Sequence, residues 1–260
     1  MKTAVIGGET VPVLGQGTWK MGERPDLRAS EIAALRAGVE LGLTLIGEAL
    51  GPVRDQVFLV SKAYPQNASR GRLAVACEAS LKRLGTDRLD LYLLHWRGSV
   101  PLQETVEAME ALKSAGKIRH WGVSNLDTDD MEELVAAGGS GCASDQILYN
   151  LTRRGPEQDL LPWLEDHGFS TMAYSPVEQG RLIAEKRLGR IAEAVSATPS
   201  QVALAGVMRR DGVIAIPKAG TVAHVRENRA AADLVLSTGD VAALDAAFPR
   251  PRGRRALEML

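Results

Sequence analysis

Residues 57–95, VFLVSKAYPQNASRGRLAVACEASLKRLGTDRLDLYLLH, hold one complete structural unit. The β-branched run 57–61 reads as a buried strand. Apolar positions then recur at helical spacing over 69–84, and 89–94 forms a second continuous apolar strand. Such strands, joined by an amphipathic helix, belong to a parallel sheet covered by helices. Lys62 and His95 stand at the C-terminal ends of the two strands. In a (β/α)8 barrel that rim is where catalytic side chains converge.

The same alternation extends both ways. Residues 3–6 and 11–13 flank Gly-Gly-Glu-Thr and predict a β-hairpin, followed by a short strand in VLGQGTWK. Helical spacing appears at 30–42, with Ser30 as the expected N-cap, and at 101–115, with Pro101 in the first turn. It returns at 128–137, 158–167, 186–195 and 199–210. Strand-like runs lie at 43–46, 118–124, 143–149, 169–175 and 213–217. Eight units over residues 1–260 predict one domain, an α/β (β/α)8 TIM barrel whose N-terminal hairpin caps the bottom. Gly15-Gln16-Gly17 is too short for a dinucleotide fingerprint, so a doubly wound sheet is disfavoured.

Bulk properties narrow the function. Charged residues make up 24% and the net charge is -1, which gives no basic field for nucleic acid or an anionic membrane. No apolar run reaches the ~18 residues of a membrane span, and the N-terminus lacks a signal peptide. Cys77 and Cys142 are far apart, suit no metal spacing, and are expected to be buried thiols of a cytoplasmic protein. No metal site is expected.

One unit is too short. Gly47 to Gln56 are the only ten residues between the strand ending at Ile46 and the next one. A parallel crossover needs about a dozen residues or more, including a returning helix. Gly47–Gly51 reads as the last turn of a longer helix, with Gly51 as its C-cap. Either a rim segment after Ile46 is missing from the sequence as written, or the second unit is degenerate.

VPVLGQGTW, VFLVSK, SLKRLGTDRLDLYLLHW, GKIRHWGVSN, QILYN, AYSP and IPKAGTVAHVRENRAAAD, in this order, give a chain that resembles the aldo-keto reductase family. It is similar to bacterial reductases of small carbonyl compounds, of the methylglyoxal or 2,5-diketo-gluconate type. The resemblance implies a monomeric barrel with NADPH at the C-terminal rim and hydride transfer to an aldehyde or ketone. Four family residues do the chemistry: Lys62 and His95 match two of them. The Asp and Tyr would follow the second strand, where LTLI here runs straight into GEAL. A second departure lies near Ile183, where the family has a longer loop over the cofactor. If the Asp/Tyr segment is truly deleted, the alternative is a silent barrel that binds NADP(H) as a sensor or binding protein.

The implied roles are chemically coherent. A Tyr hydroxyl, ordinarily near pKa 10, is a better acid near neutrality beside an ammonium such as Lys62. His95 would polarise the substrate carbonyl. Read alone, Lys62 could be a solvated strand-end charge and His95 a core histidine. Tyr64 faces the same rim but reads as packing rather than as a substitute acid, and Tyr92 as structural. Trp19 and Trp96 would wall a small, moderately apolar substrate pocket, or be ordinary half-buried tryptophans.

For the cofactor, Ser124, Asn125 and Gln146 match the positions that read a nicotinamide carboxamide, and Tyr174 matches the ring that stacks on nicotinamide. Ser175 and Gln179 match positions near the pyrophosphate. Lys218 and Thr221 would meet the 2′-phosphate, with Glu227 and Asn228 at adenine. His224 stands where the family often has Arg, and Ala219 where it often has Ser. A partly charged His holds phosphate less firmly than Arg, so NADH is also admitted. His120 and His167 match no role and read as structural or surface residues.

Overall fold

The computed structural model describes residues 1–43 and 54–260. The hairpin pairs β1 (Thr3–Ile6) with β2 (Glu9–Pro12) around Gly7 and Gly8, both at positive φ. Six parallel strands follow in order: β3 (Val60–Ala63), β4 (Leu89–Leu94), β5 (Ile118–Ser124), β6 (Cys142–Leu148), β7 (Ser170–Tyr174) and β8 (Val213–Ala215). The helices are α1 (Arg28–Glu40), α2 (Arg70–Leu84), α3 (Leu102–Ser114), α4 (Thr128–Ala136), α5 (Leu160–Asp166), α6 (Lys186–Ala194), α7 (Pro199–Met208), α8 (Val222–Ala231) and α9 (Thr238–Ala247). Helix ends follow local chemistry. Gly85 closes α2 in the left-handed conformation, Asp127 caps α4 through the Asp130 amide, and Thr198 and Gln201 form a capping box on α7.

All six residues of β4 are buried, as expected of a strand covered on both faces. The segment before α1 meets the far edge of the sheet through bridges Leu14–Ala215 and Gly17–Lys218. Gly15 and Gly17 donate amide protons to the carbonyls of Ala215 and Pro217, both at 2.9 Å. Gly17 is required there, since a Cβ would lie 2.6 Å from the Ile216 carbonyl oxygen. These contacts add the first barrel strand beside β8, on the side of the sheet away from β3, as a (β/α)8 barrel requires. The hairpin closes its bottom: Ala4, Ile6 and Val11 are buried, and Glu9 Oε1 lies 2.7 Å from His120 Nε2.

Several boundaries move. The second hairpin strand is residues 9–12, because a two-residue Gly-Gly turn suffices. The first barrel strand is held by bridges rather than a continuous ladder. The 57–61 strand begins at Val60 and extends to Ala63. Helix α1 starts at Arg28; Ser30 lies inside it and donates to the Leu27 carbonyl at 2.8 Å, so it is not the cap. Pro101 takes the N-cap position of α3 rather than its first turn. The expectations for the strand at 43–46, the short connection and the Gly51 cap fall largely outside the described residues. Among the described residues, no helix is long and apolar enough to cross a membrane.

Candidate active site

Lys62 is the third residue of β3, paired with Leu93 of β4, and His95 follows the end of β4. The His95 amide donates to the Ala63 carbonyl at 2.9 Å, extending the ladder by one rung and fixing both residues on one rim. Burial lowers the Lys62 pKa from 10.5 to about 8. Burial and the neighbouring Lys62 charge bring His95 down from 6.5 to about 4. At pH 7 the pair is therefore a mostly protonated ammonium beside a neutral imidazole. This is neither a freely solvated lysine nor a core histidine.

Tyr64 lies flat against His95, ring centroids 5.3 Å apart, and meets Trp96 edge-on at 5.5 Å. Trp96 in turn tilts against His95 at 4.6 Å. Tyr64 is half exposed, and the Lys62 ammonium points instead toward the Tyr174 ring, 6.0 Å from its centroid. Trp19 is 63% exposed, with Lys20 over its ring at 4.6 Å.

Along the rim, Ser124 and Gln146 are paired across β5 and β6. Ser124 Oγ donates to the Gln146 carbonyl at 2.7 Å. Asn125 holds a left-handed backbone (φ 60°). Its Nδ2 donates to the His95 carbonyl at 3.0 Å and to Ser124 Oγ at 3.1 Å, while its Oδ1 accepts the Tyr174 hydroxyl at 2.9 Å. Both amide protons of Asn125 are thus committed, and Oδ1 keeps one lone pair. Buried Gln146 Nε2 donates to the Met172 thioether, at 3.7 Å, a weak acceptor. A ligand amide at this point would meet one acceptor and one under-used donor. Tyr174, half-buried at the end of β7, supplies a flat ring beside them.

Past β7 the backbone is left-handed at Ser175, Glu178, Gln179 and Gly180. Ser175 is half-buried and Gln179 exposed. After β8, the Lys218 ammonium lies 3.7 Å from the buried Glu31 carboxylate and donates to the Lys20 carbonyl at 3.4 Å. Thr221 caps α8 by accepting the His224 amide at 3.3 Å. Glu227 Oε1 accepts the Thr198 hydroxyl at 2.6 Å, and Asn228 is buried. Lys218, Thr221 and His224 thus gather at one helix N-terminus, a setting that favours anions.

Sequence reasoning did not anticipate Glu31 beside Lys218, nor Asp145, fully buried with its carboxyl beside the Asn125 and Leu126 backbone amides. An acidic residue inside the buried run ASDQILY is the one signal that could have exposed Asp145. His120 pairs with Glu9, and His167 lies exposed at the surface, stacked on Trp163 at 3.8 Å. Cys77 and Cys142 are free and buried, and Tyr92 is buried in β4.

The Aldo/keto reductase family model matches residues 13–248. The chain belongs to the aldo/keto reductase family. This family member is 51% identical to the methylglyoxal reductase YeaE of Escherichia coli (strain K12), over 98% of this chain and 97% of that protein. That match runs over 275 positions, more than the 260 residues here, so the E. coli protein carries residues opposite gaps in this chain. The glyoxal reductase of Bacillus subtilis (strain 168) is 30% identical, over 92% of this chain and 90% of its own. Among solved structures, a Klebsiella pneumoniae aldo/keto reductase in complex with NADP and acetate superposes with TM-score 0.97. It is 48% identical, over 100% of this chain and 99% of that one.

Proposed function

We propose that this aldo/keto reductase is a single-domain, monomeric cytoplasmic enzyme that reduces small aldehydes and ketones with NADPH. The observation that carries this reading is the rim pair: half-buried Lys62 and neutral His95, held on adjacent strand ends by the His95–Ala63 hydrogen bond, beside an amide-reading cluster and a flat tyrosine. The names of relatives, a methylglyoxal reductase and a glyoxal reductase, support the substrate class. The NADP-bound neighbour supports the cofactor.

The residues present fit a nicotinamide dinucleotide. Gln146 Nε2 has a donor to give to a carboxamide oxygen, and Asn125 Oδ1 has a lone pair for the carboxamide NH2. Tyr174 offers the stacking face, Ser175 and Gln179 border the pyrophosphate, and Lys218, Thr221 and His224 receive the 2′-phosphate, with Glu227 and Asn228 at adenine. The bound cofactor supplies hydride to the carbonyl carbon. His95 donates an N–H to the carbonyl oxygen, and the Lys62 charge stabilises negative charge as it builds there. Trp96 and Tyr64 exclude water on the side of His95.

The proton donor is the open element. No Asp or Tyr lies between Ile46 and Arg54, and this favours a second reading, an NADP(H)-binding barrel without turnover. Two measurements separate the readings. Intact mass against 27.9 kDa shows whether the chain carries a further rim segment. NADPH oxidation with methylglyoxal or 4-nitrobenzaldehyde then decides: turnover establishes the reductase. Tryptophan quenching by NADPH without turnover establishes the silent barrel.

A further inference from the structure

A charged network beside Tyr174 is unused by the chemistry above. Arg153, in the β6–α5 connection, donates through Nε (3.1 Å) and Nη2 (2.8 Å) to Glu178 Oε1, while its Nη1 reaches Glu258 Oε1 at 2.5 Å. Glu178 is buried and also accepts from Arg181 at 3.1 Å and from Asn150 Nδ2 at 2.7 Å. The same Asn150 amide donates to the Ser175 carbonyl at 3.0 Å. Asn150 and Arg153 therefore fasten both ends of the turn from Ser175 to Gly180. Left-handed backbone at Ser175, Glu178 and Gln179 is costly for non-glycine residues and persists only where its surroundings enforce it.

Glu258 belongs to the C-terminal tail, and that tail is seated on the same rim. Arg254 pairs with Asp129 and Asp159, each at 2.8 Å, and Leu257 packs on the core. The backbone amide of Leu260 lies beside the Tyr174 hydroxyl. Tail and turn thus border the Tyr174 ring from two directions, and one guanidinium is bonded to both. The two ends of that link differ. Glu178 is buried and multiply bonded, whereas Glu258 is 53% exposed, so the link releases at Glu258.

We infer that Arg153 is a positioning residue that couples the C-terminal tail to the Ser175–Gly180 turn, so that the two walls beside Tyr174 loosen and tighten as one unit. The consequence for cofactor affinity rests on the proposed NADPH reading; the coupling does not. Hydrogen exchange on the full-length, cofactor-free protein tests the coupling directly. Glu258→Gln leaves the Arg153–Glu178 bonds intact. It is expected to speed exchange about two- to fivefold, the scale of an exposed ion pair, in peptides covering 254–260 and also 175–181. Arg153→Met speeds both further, and Arg153→Lys restores part of the protection. The KM for NADPH rises by a similar factor with kcat unchanged. Faster exchange in the tail alone, a uniform rise across the barrel, or no change overturns the coupling. If the wild-type protein binds no NADPH, the functional reading fails while the exchange pattern still decides the link.

Discussion

The Tyr174 hydroxyl donates to Asn125 Oδ1 at 2.9 Å, joining the end of β7 to the left-handed turn after β5. This bond holds the flat ring and the amide acceptor in one plane of approach. Tyr174→Phe keeps the ring and removes the bond. A single neutral hydrogen bond contributes about 0.5–1.5 kcal/mol. The expected result is a roughly two- to tenfold rise in NADPH KM with little change in kcat, measured by steady-state kinetics. A Phe variant with wild-type KM would show that the bond plays no part in holding Asn125.

In the proposed mechanism, Lys62→Met removes the charge that stabilises the reacting oxygen. Turnover should fall by about 10²–10⁴, while NADPH affinity measured by fluorescence stays within a few-fold. Stability moves the other way. The Lys62 pKa is lowered from 10.5 to about 8 in the fold, so below pH 8 the native state carries a buried charge at a cost. Between pH 8 and 10.5 the unfolded chain holds more protons, and wild-type stability rises with pH. The Met variant should therefore melt higher than wild type at pH 7 and lose that advantage toward pH 10.5, as followed by circular dichroism.

His95, lowered to about 4, should leave no inflection near pH 6.5 in kcat/KM. Activity should instead fall as Lys62 deprotonates near pH 8. Protonation of His95 becomes a factor only toward pH 4, and wild-type stability drops between 6.5 and 4 because the unfolded imidazole binds a proton that the folded one refuses. A pH–rate profile with a limb at 6.5 that disappears in His95→Asn would refute the neutral-imidazole assignment.

The buried carboxyl of Asp145 is pushed well above its ordinary 3.8 by burial, with Asp130 and Asp127 nearby. Above pH 3.8 the unfolded chain ionises this group while the native state keeps its proton, so stability falls as pH rises. Asp145→Asn is isosteric and neutral. It should raise the melting temperature at pH 7 by several degrees and leave it nearly unchanged at pH 4. An equal shift at both pH values would show that ionisation of Asp145 is not the cause.

Cofactor choice tests the other end of the site. His224 is exposed at the first turn of α8, and Glu31 lies against Lys218. An imidazole and a counter-charged lysine hold a 2′-phosphate less selectively than a guanidinium fork and a free lysine. His224→Arg should increase the NADPH-over-NADH ratio of kcat/KM by about tenfold, and a wild-type preference already above about a thousandfold (roughly 4 kcal/mol) would contradict the premise.

Much of this site was legible because it lies at the ends of strands, where a polar residue after an apolar run is conspicuous. Lys62 and His95 stood out in this way, whereas Ser124, Asn125, Gln146 and Tyr174 at the other strand ends were legible only through the resemblance to the family. Helix interiors were equally readable, as were the starts of α4, α6 and α7; the start of α1 was not. Ser30 resembles a cap in sequence, but α1 begins a turn earlier and its hydroxyl bonds backward to Leu27. The Tyr64–His95 stack, the Glu31–Lys218 contact and the Arg153 network join residues whose neighbours in sequence give no sign of the partner. Only the closed barrel brings them together.

The bond from Gly15 to the Ala215 carbonyl also has a meaning for how the chain folds. The ring is completed by a segment made among the first and a strand made among the last during synthesis. Until β8 has left the ribosome, the strands already present can exist only as an open sheet with β7 unpaired on its β8 side, the kind of edge that recruits other chains. Truncations that stop short of Ala215 should therefore aggregate rather than yield a smaller soluble barrel, whatever the stability of the units they retain.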